Sequence, residues 1–177
     1  MKEADFKQIL KQYRVGERSF QNLICAAAEG FESDLQGADF SGSILAAAYL
    51  PYSNLSQAIL RRTTLTGAEL GDARLFSADL TGAHIQGGHL ARANLRQACL
   101  RGANLRDADL SGADLRGADL TDADLSGAKL IRANLTEALL LGTCLQGSRL
   151  FRAIGADLTG TLCDRNTIFP NGYRGEH

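Results

Sequence analysis

A five-residue repeat runs through most of this chain and constrains its fold more than any other feature. Residues 108–130 read ADLSGADLRGADLTDADLSGAKL, with a leucine at every fifth position. Two residues before each leucine the side chain is alanine, and the remaining positions are mostly polar or glycine. We therefore expect the leucine and the small residue to be buried and the other positions to face solvent.

The repeat extends far beyond this stretch. Apolar residues recur at every fifth position from Leu35 to Leu150, and Phe20 and Cys25 keep the same spacing near the N-terminus. A spacing of five fits neither the helical period of 3.6 nor the strand period of 2. Within each unit three residues alternate between inward and outward positions, as in a strand. The next two, such as Thr81 and Gly82, are of types that favour a turn. A short strand followed by a turn, repeated many times, predicts a solenoid of stacked coils.

The pattern A[DN]LxG resembles the pentapeptide-repeat family. It is nearly perfect from Ala93 to Leu135 and looser from about Phe20 to Leu150. The resemblance implies an all-β fold, a right-handed quadrilateral parallel β-helix with four pentapeptides per coil and about seven coils. The passage YRVGERSFQNL at 13–23 also resembles the lead-in segment of cyanobacterial members.

Four units per coil would place residue n beneath residue n+20. One outward column would then read Glu29, Tyr49, Glu69, His89, Asp109, Lys129 and Arg149, with no carboxylate directly above another. Like charges in neighbouring strands are unfavourable, so this separation favours a twenty-residue coil.

The two ends of the chain depart from the repeat. We assign residues 1–16 to an N-terminal α-helical cap, 17–163 to the β-helix and 164–177 to a closing tail. The first segment carries an apolar stripe with helical spacing, which predicts an amphipathic helix that covers the open edge of the first coil. The stripe consists of Phe6, Ile9, Leu10 and Tyr13.

The five-residue spacing is interrupted at about 151–157. Leu150 is in register, whereas Leu158, Cys163 and Ile168 follow a frame displaced by three residues. This displacement predicts a small insertion or bulge around residues 151–155. Pro170 and the Asn-Gly pair after it are expected to end regular pairing.

Charge and cysteine usage exclude several classes of partner. The chain has 19 Lys and Arg against 20 Asp and Glu, a net charge of −1. No global field therefore attracts it to nucleic acid or a membrane surface, and we expect neither as a partner. Its four cysteines lack CxxC spacing and its first residues lack an apolar secretory core, which favours the cytoplasm.

The sequence indicates no enzyme, no cofactor and no metal site. A filled solenoid with short turns has no cleft where catalytic groups could converge. His84 and His89 would lie on adjacent sides and diverge, whereas zinc needs three or four converging ligands. Cys25 and Cys163 fall at central positions and are expected in the core.

Two surface patches on one side of the solenoid are the candidate protein-binding residues. Aromatic residues and arginine often anchor protein interfaces, although a solvated surface of mixed charge is the alternative reading. The opposite charges of the patches would also permit head-to-tail contact between copies. The acidic aromatic patch comprises Glu29, Phe31, Glu32, Tyr49, Pro51, Tyr52 and Glu69, and the basic apolar patch comprises Arg92, Lys129, Ile131, Arg132, Arg149, Phe151 and Arg152.

A third candidate lies on the opposite side, where Leu139 and Leu141 replace the usual polar residues. Either they form a contact in a C-terminal homodimer, or the tail from Asp164 onward folds back over them. We therefore expect a monomer or a homodimer mediated by the C-terminal end.

The function predicted from these features is that of a non-enzymatic protein-binding or scaffold rod whose protein partner is unknown. The family resemblance adds two alternatives. One is a DNA mimic that modulates type II topoisomerase, which would need a dense acidic stripe where this chain interrupts every acidic column. The other is a regulator of cell differentiation that contacts a transcription factor, a role that no residue here selects.

Overall fold

The computed structural model describes residues 1–174. Its helix and strands are β1 (Lys2–Glu3), α1 (Phe6–Arg14) and β2 (Leu23–Ile24). The remainder is a ladder of single-residue parallel bridges, each of which joins residue n to residue n+20, from Ser19 with Asp39 to Asn134 with Ile154. The predicted β-helix and its twenty-residue pairing are therefore confirmed.

Backbone hydrogen bonds join each coil to the next. The amide of Leu115 donates to the carbonyl of Asn134 at 2.8 Å, and the amide of Gly117 donates to the carbonyl of Thr136 at 3.0 Å. Within each unit a turn closes the corner, as where the amide of Ala118 donates to the carbonyl of Leu115. Gly117, at the third position of that turn, has a φ of +64°, as a type II turn requires.

The two inward positions of each unit fill the interior. Leucines and alanines from Leu70 to Leu125 are almost completely buried, so the solenoid has a packed core and no channel. Some units carry a hydroxyl at the small inward position, and these hydroxyls donate to backbone carbonyls, as Thr63 does to Phe40 at 2.9 Å. Within residues 1–174 no buried side-chain nitrogen or oxygen lacks a hydrogen-bond partner.

The N-terminal segment packs on the first coil in two ways. Strand β1 pairs in parallel with β2, placing Lys2 beside Leu23. Helix α1 begins after Asp5, whose carboxylate accepts a hydrogen bond from the amide of Lys7 at 3.0 Å, and it buries Phe6 and Ile9. The predicted amphipathic helix is present, but strand β1 was not predicted from the sequence.

The last coil is shorter than the others. Cys144 pairs with Leu162, a separation of 18 residues, and Arg149 pairs with Ile168, a separation of 19. The insertion predicted around 151–155 is therefore wrong, because this coil has lost residues and not gained them. Gly155 turns the chain with a φ of +68°, and Leu158 packs against the core only three residues later.

Ile168 does not keep the displaced frame that the sequence predicts for it. Ile168 lies at the bridge position beside Arg149, and Thr167 before it is buried. The chain has one more residue between Cys163 and Thr167 than a regular unit has between these two inward positions. Here the carboxylate of Asp164 accepts the hydrogen bond from the amide of Gly147 at 2.9 Å. A reverse turn follows, in which the amide of Phe169 donates to the carbonyl of Tyr173. The end of the predicted tail, at 175–177, lies outside the described residues.

The short coil makes Gly155 more sensitive to substitution than other turn glycines. A Cβ atom at Gly155 would lie 2.7 Å from the Cα of Thr136, whereas at Gly147, which has a similar φ of +67°, the nearest atom is 3.9 Å away. We expect Gly147→Ala to lower the free energy of unfolding by about 1 kcal/mol, the cost of a left-handed alanine. Gly155→Ala should lower it by about 2–4 kcal/mol because the backbone must also shift. Urea unfolding followed by circular dichroism measures both, and equal losses would contradict the close approach.

Candidate functional site

One side of the β-helix carries both predicted patches, and we call it the patch face. Its outward residues form three parallel columns, because backbone pairing places each residue beside the one twenty positions later. The bridge column is Glu29, Tyr49, Glu69, His89, Asp109, Lys129 and Arg149; the first turn column is Phe31, Pro51, Gly71, Ala91, Ser111, Ile131 and Phe151; the second turn column is Glu32, Tyr52, Asp72, Arg92, Gly112, Arg132 and Arg152.

The structure brings the aromatic residues of the acidic aromatic patch into one cluster. The rings of Phe31 and Tyr49 stack with centroids 6.2 Å apart, and Phe31 meets Tyr52 edge-on at 5.8 Å. Each ring remains roughly half exposed. Glu29 and Glu32, both exposed, flank the cluster. An apolar surface with an acidic border is therefore open to solvent at this end.

The basic apolar patch surrounds a shallow depression at the other end. Ile131 and Phe151 line this depression of about 330 Å³ together with Arg149, Ile168 and Gly172. Sequence reasoning missed Ile168 and Gly172, because the change of register in the last coil hides their position in the repeat.

The arginines of the basic apolar patch differ in their pairing. None of Arg132, Arg149 and Arg152 belongs to an ion pair formed within residues 1–174. The guanidinium of Arg152 lies 5.1 Å from the centroid of the Phe151 ring. Arg92, assigned to the same patch from sequence, instead forms two hydrogen bonds with Asp72. Free positive charge therefore occurs only in the last two coils of this face within the described residues.

The middle of the patch face neutralises its own charges. The guanidinium of Arg92 donates to both carboxylate oxygens of Asp72 and holds the pKa of that carboxyl below its usual range. Lys129 lies 3.6 Å from Asp109. Partial burial acts to raise the pKa of Asp109, but hydrogen bonds from Ser111 and the charge of Lys129 outweigh it, so the pKa is lowered.

The leucines on the opposite side are open to solvent. Leu139 is 58 % exposed and Leu141 is 67 % exposed. The expectation that the tail covers them is wrong for the part of the tail that the structure describes. Ile154 and Leu162, near the same end, are also more than half exposed. A contact between copies through Leu139 and Leu141 stays a prediction.

Other candidate groups lie apart from one another. Cys25 is buried, and burial raises the pKa of its thiol, whereas Cys163 is partly buried and packs against the core. Among residues 1–174, no three His, Cys, Asp or Glu side chains are grouped so that they could hold a metal ion. Nor does this part of the chain contain a helix with the length and apolar character that a membrane crossing requires.

Comparisons with known proteins agree with the coil pattern. A family model described as pentapeptide repeats matches in 8 copies, over residues 31–62, 43–82, 89–127 and 118–160. The chain finds no match among curated proteins.

Several solved structures are similar to this chain. One is HetL, a pentapeptide repeat protein involved in heterocyst differentiation regulation from the cyanobacterium Nostoc sp. strain PCC 7120; it is 31 % identical over 96 % of this chain and 98 % of that chain, with a TM-score of 0.48. Another is QnrB1, a plasmid-mediated fluoroquinolone resistance protein, at 19 % identity over 92 % of this chain and 89 % of that chain, with a TM-score of 0.58. The likeness to QnrB1 shows a shared fold alone.

The Asp72–Arg92 pair gives a prediction about pH. A carboxyl whose pKa is lowered by folding stabilises the fold above its unfolded pKa of about 3.9, and this contribution is lost as pH falls through the lower folded value. We therefore expect the carboxyl of Asp72, followed by NMR, to titrate below the usual aspartate range. Arg92→Gln should move its midpoint upward, and Arg132→Gln, in the same column but without an acidic partner in the described chain, should leave it unchanged. Equal midpoints in all three proteins would show that the pair does not form in solution.

Proposed function

The chain belongs to the pentapeptide repeat family, and we propose that it is a non-enzymatic rod that binds another protein through the patch face. The observation that supports this most is the basic apolar patch. Arg132, Arg149 and Arg152 have no acidic partner within residues 1–174, and they surround the exposed Phe151 and the half-buried Ile131. Arginine beside apolar surface is the combination that anchors many protein interfaces.

The shape of the patch face supports a protein partner over a small molecule. Its depressions are shallow, and the one at Phe151 is open to solvent. Small molecules bind in concave sites that enclose most of their surface, whereas proteins dock on broad and nearly flat surfaces. Opposite charges at the two ends also disfavour a uniform polyanion such as nucleic acid.

The two alternative functions receive unequal support. DNA mimicry requires acidic groups along the whole rod, yet the unpaired acids of the patch face lie at one end and unpaired arginines at the other. Regulation of cell differentiation is the second candidate, because the chain is 31 % identical to HetL over nearly its full length. In that role the partner would be a transcription regulator, and a captured partner of another class would reject it.

We also propose finer features of the architecture and setting. About seven right-handed coils form the rod, and β1 and α1 together act as the lid of its first coil. The cytoplasm is the proposed location, since the four cysteines lack paired spacing and are free thiols.

Capture from a lysate of the native host tests the proposed binding surface. The bait proteins are the wild type, the patch variant Arg132→Glu/Arg149→Glu/Arg152→Glu, and the control Arg62→Glu/Arg74→Glu/Arg96→Glu, which makes the same charge change on other sides. We expect a partner that the wild type and the control retain equally and that the patch variant retains at least about tenfold less.

Thermal unfolding of each bait protein shows whether it is folded, so that a loss of binding can be distinguished from a loss of folding. A partner retained equally by the patch variant would show that another surface binds it. If no partner is captured by any bait, the proposed function is wrong.

A further inference from the structure

We propose that the patch face binds the patch face of a second copy of this chain, with the two rods antiparallel. The acidic aromatic patch of each copy then covers the basic apolar patch of the other. This inference rests on one part of the proposed function, that the patch face is a binding surface, and it adds a second copy of this chain as an occupant of that surface. It follows from how residues are distributed along the three columns.

Symmetry fixes which residues would meet. A two-fold axis that lies between the two faces, perpendicular to the rods, sets each column against the same column and reverses the order of its coils. With the axis at Ala91, the middle of the first turn column, Phe31 faces Phe151 of the second copy. Every contact away from the axis occurs twice.

The charges of the two ends are complementary in this register. Glu29 would face Arg149 in the bridge column, and Glu32 would face Arg152 in the second turn column. All four side chains are exposed, and none forms an ion pair within residues 1–174. The dimer would therefore provide opposite charges for groups that the described chain leaves without them.

The aromatic residues meet cations and apolar side chains in the same register. Tyr52 would face Arg132, and a tyrosine ring next to a guanidinium is a favourable cation–π pair. In the first turn column Pro51 would face Ile131, next to the pairing of the two phenylalanines. The half-exposed cluster around Phe31 would thus be covered by the depression that Ile131 and Phe151 line.

The middle of the first turn column carries only small residues, Gly71, Ala91 and Ser111. The columns on either side carry larger side chains at the axis, where the exposed His89 would face His89 of the second copy. Arg92 would face Arg92 of the second copy near the axis, but each is already neutralised by Asp72.

Apart from Arg92 at the axis, one further pair of positions in this register joins like charges. Glu69 would face Asp109, and each has a cationic partner in its own chain, His89 at 3.8 Å when protonated and Lys129 at 3.6 Å. A slip of one coil that instead set Phe31 against Ile131 would leave Arg149 and Arg152 beyond the acidic aromatic patch. The charges therefore favour the register centred on Ala91.

Sedimentation velocity of the purified chain tests the dimer. The wild type is measured from low micromolar to several hundred micromolar concentration, because a short flat interface of this kind gives a weak dimer. Two variants are compared with it: Glu29→Arg/Glu32→Arg and Arg149→Glu/Arg152→Glu. Each sets like charges against each other in its own homodimer, so we expect its dissociation constant to rise at least about tenfold.

Mixing the two variants is the decisive measurement. In the mixed dimer, the arginines introduced at 29 and 32 face glutamates introduced at 149 and 152, and the native groups at the other ends face each other as before. We expect the mixture to form a dimer with an affinity close to that of the wild type. A wild type that stays monomeric, or a mixture that does not recover, overturns the proposal.

Cross-linking tests the position of the axis. Ala91→Cys places a thiol opposite its own copy, and mild oxidation should then give a covalent dimer in the wild-type background. Ala46→Cys, at the equivalent turn position on another side, is the matched control, and the unsubstituted chain accounts for its native cysteines. A dimer that cross-links equally through both substitutions overturns the register.

A third variant separates this dimer from the predicted C-terminal contact. Leu139→Ser/Leu141→Ser should leave the affinity of the dimer unchanged. Loss of the dimer in this variant, together with no effect of the charge reversals, would overturn the proposal in favour of that contact.

These experiments use the purified chain alone, so their failure differs from failure of the proposed function. A monomeric wild type that still captures a host protein through the arginines overturns only the dimer. A dimer without any captured host protein overturns only the proposed binding of another protein.

Discussion

The hydrogen bonds between coils determine the rest of this structure. Because the amides of one coil donate to carbonyls of the next at fixed positions, residue n lies beside residue n+20 in every coil before the shortened last one. The leucines and alanines then stack inside the coil, and the outward residues stack in columns. Each surface property of the molecule is therefore a property of a column, read every twenty residues along the chain.

Charge is arranged along these columns in two ways. In the middle of the rod, acids and bases pair within the chain, as Asp72 does with Arg92 and Asp124 does with Arg106. On the patch face the ends lack such pairs among the described residues, since glutamates occupy the first coils and arginines the last. A nearly neutral composition thus conceals a patch face whose two ends carry opposite unpaired charges. Net charge alone could not reveal this, because the two ends cancel.

Much of the fold could be predicted from the sequence, because one burial rule applies to every unit. The leucine and the small residue of each pentapeptide identify the core directly, and the spacing of like charges agrees with the twenty-residue coil that the family resemblance implies. Strand β1 escaped prediction because two exposed residues carry no periodicity. The patches were recognised by residue type, but the sequence could not show that Arg92 is neutralised by Asp72, since that depends on side-chain geometry.

The last coil shows why spacing alone has a limit. In a repeat of five, the gain of three residues and the loss of two move the frame to the same place, so the sequence could not distinguish them. Only the pairing of Cys144 with Leu162 decides for the loss. Ile168 was misplaced for a related reason, because a carboxylate at Asp164 substitutes for a backbone acceptor and permits one more residue.

The shortened coil also controls how the rod can grow. The last coil is short, because the paired residues Cys144 and Leu162 are separated by only 18 positions. If a regular coil of twenty residues were stacked on it, the backbone hydrogen-bonding groups of the two coils would not line up. Some amides and carbonyls of the added coil would find no acceptor or donor, which is costly away from water. At the opposite end, β1 already pairs with the edge of the first coil. At the two ends that residues 1–174 describe, a second copy would therefore not meet the regular twenty-residue pairing that extension of the ladder into a fibre requires.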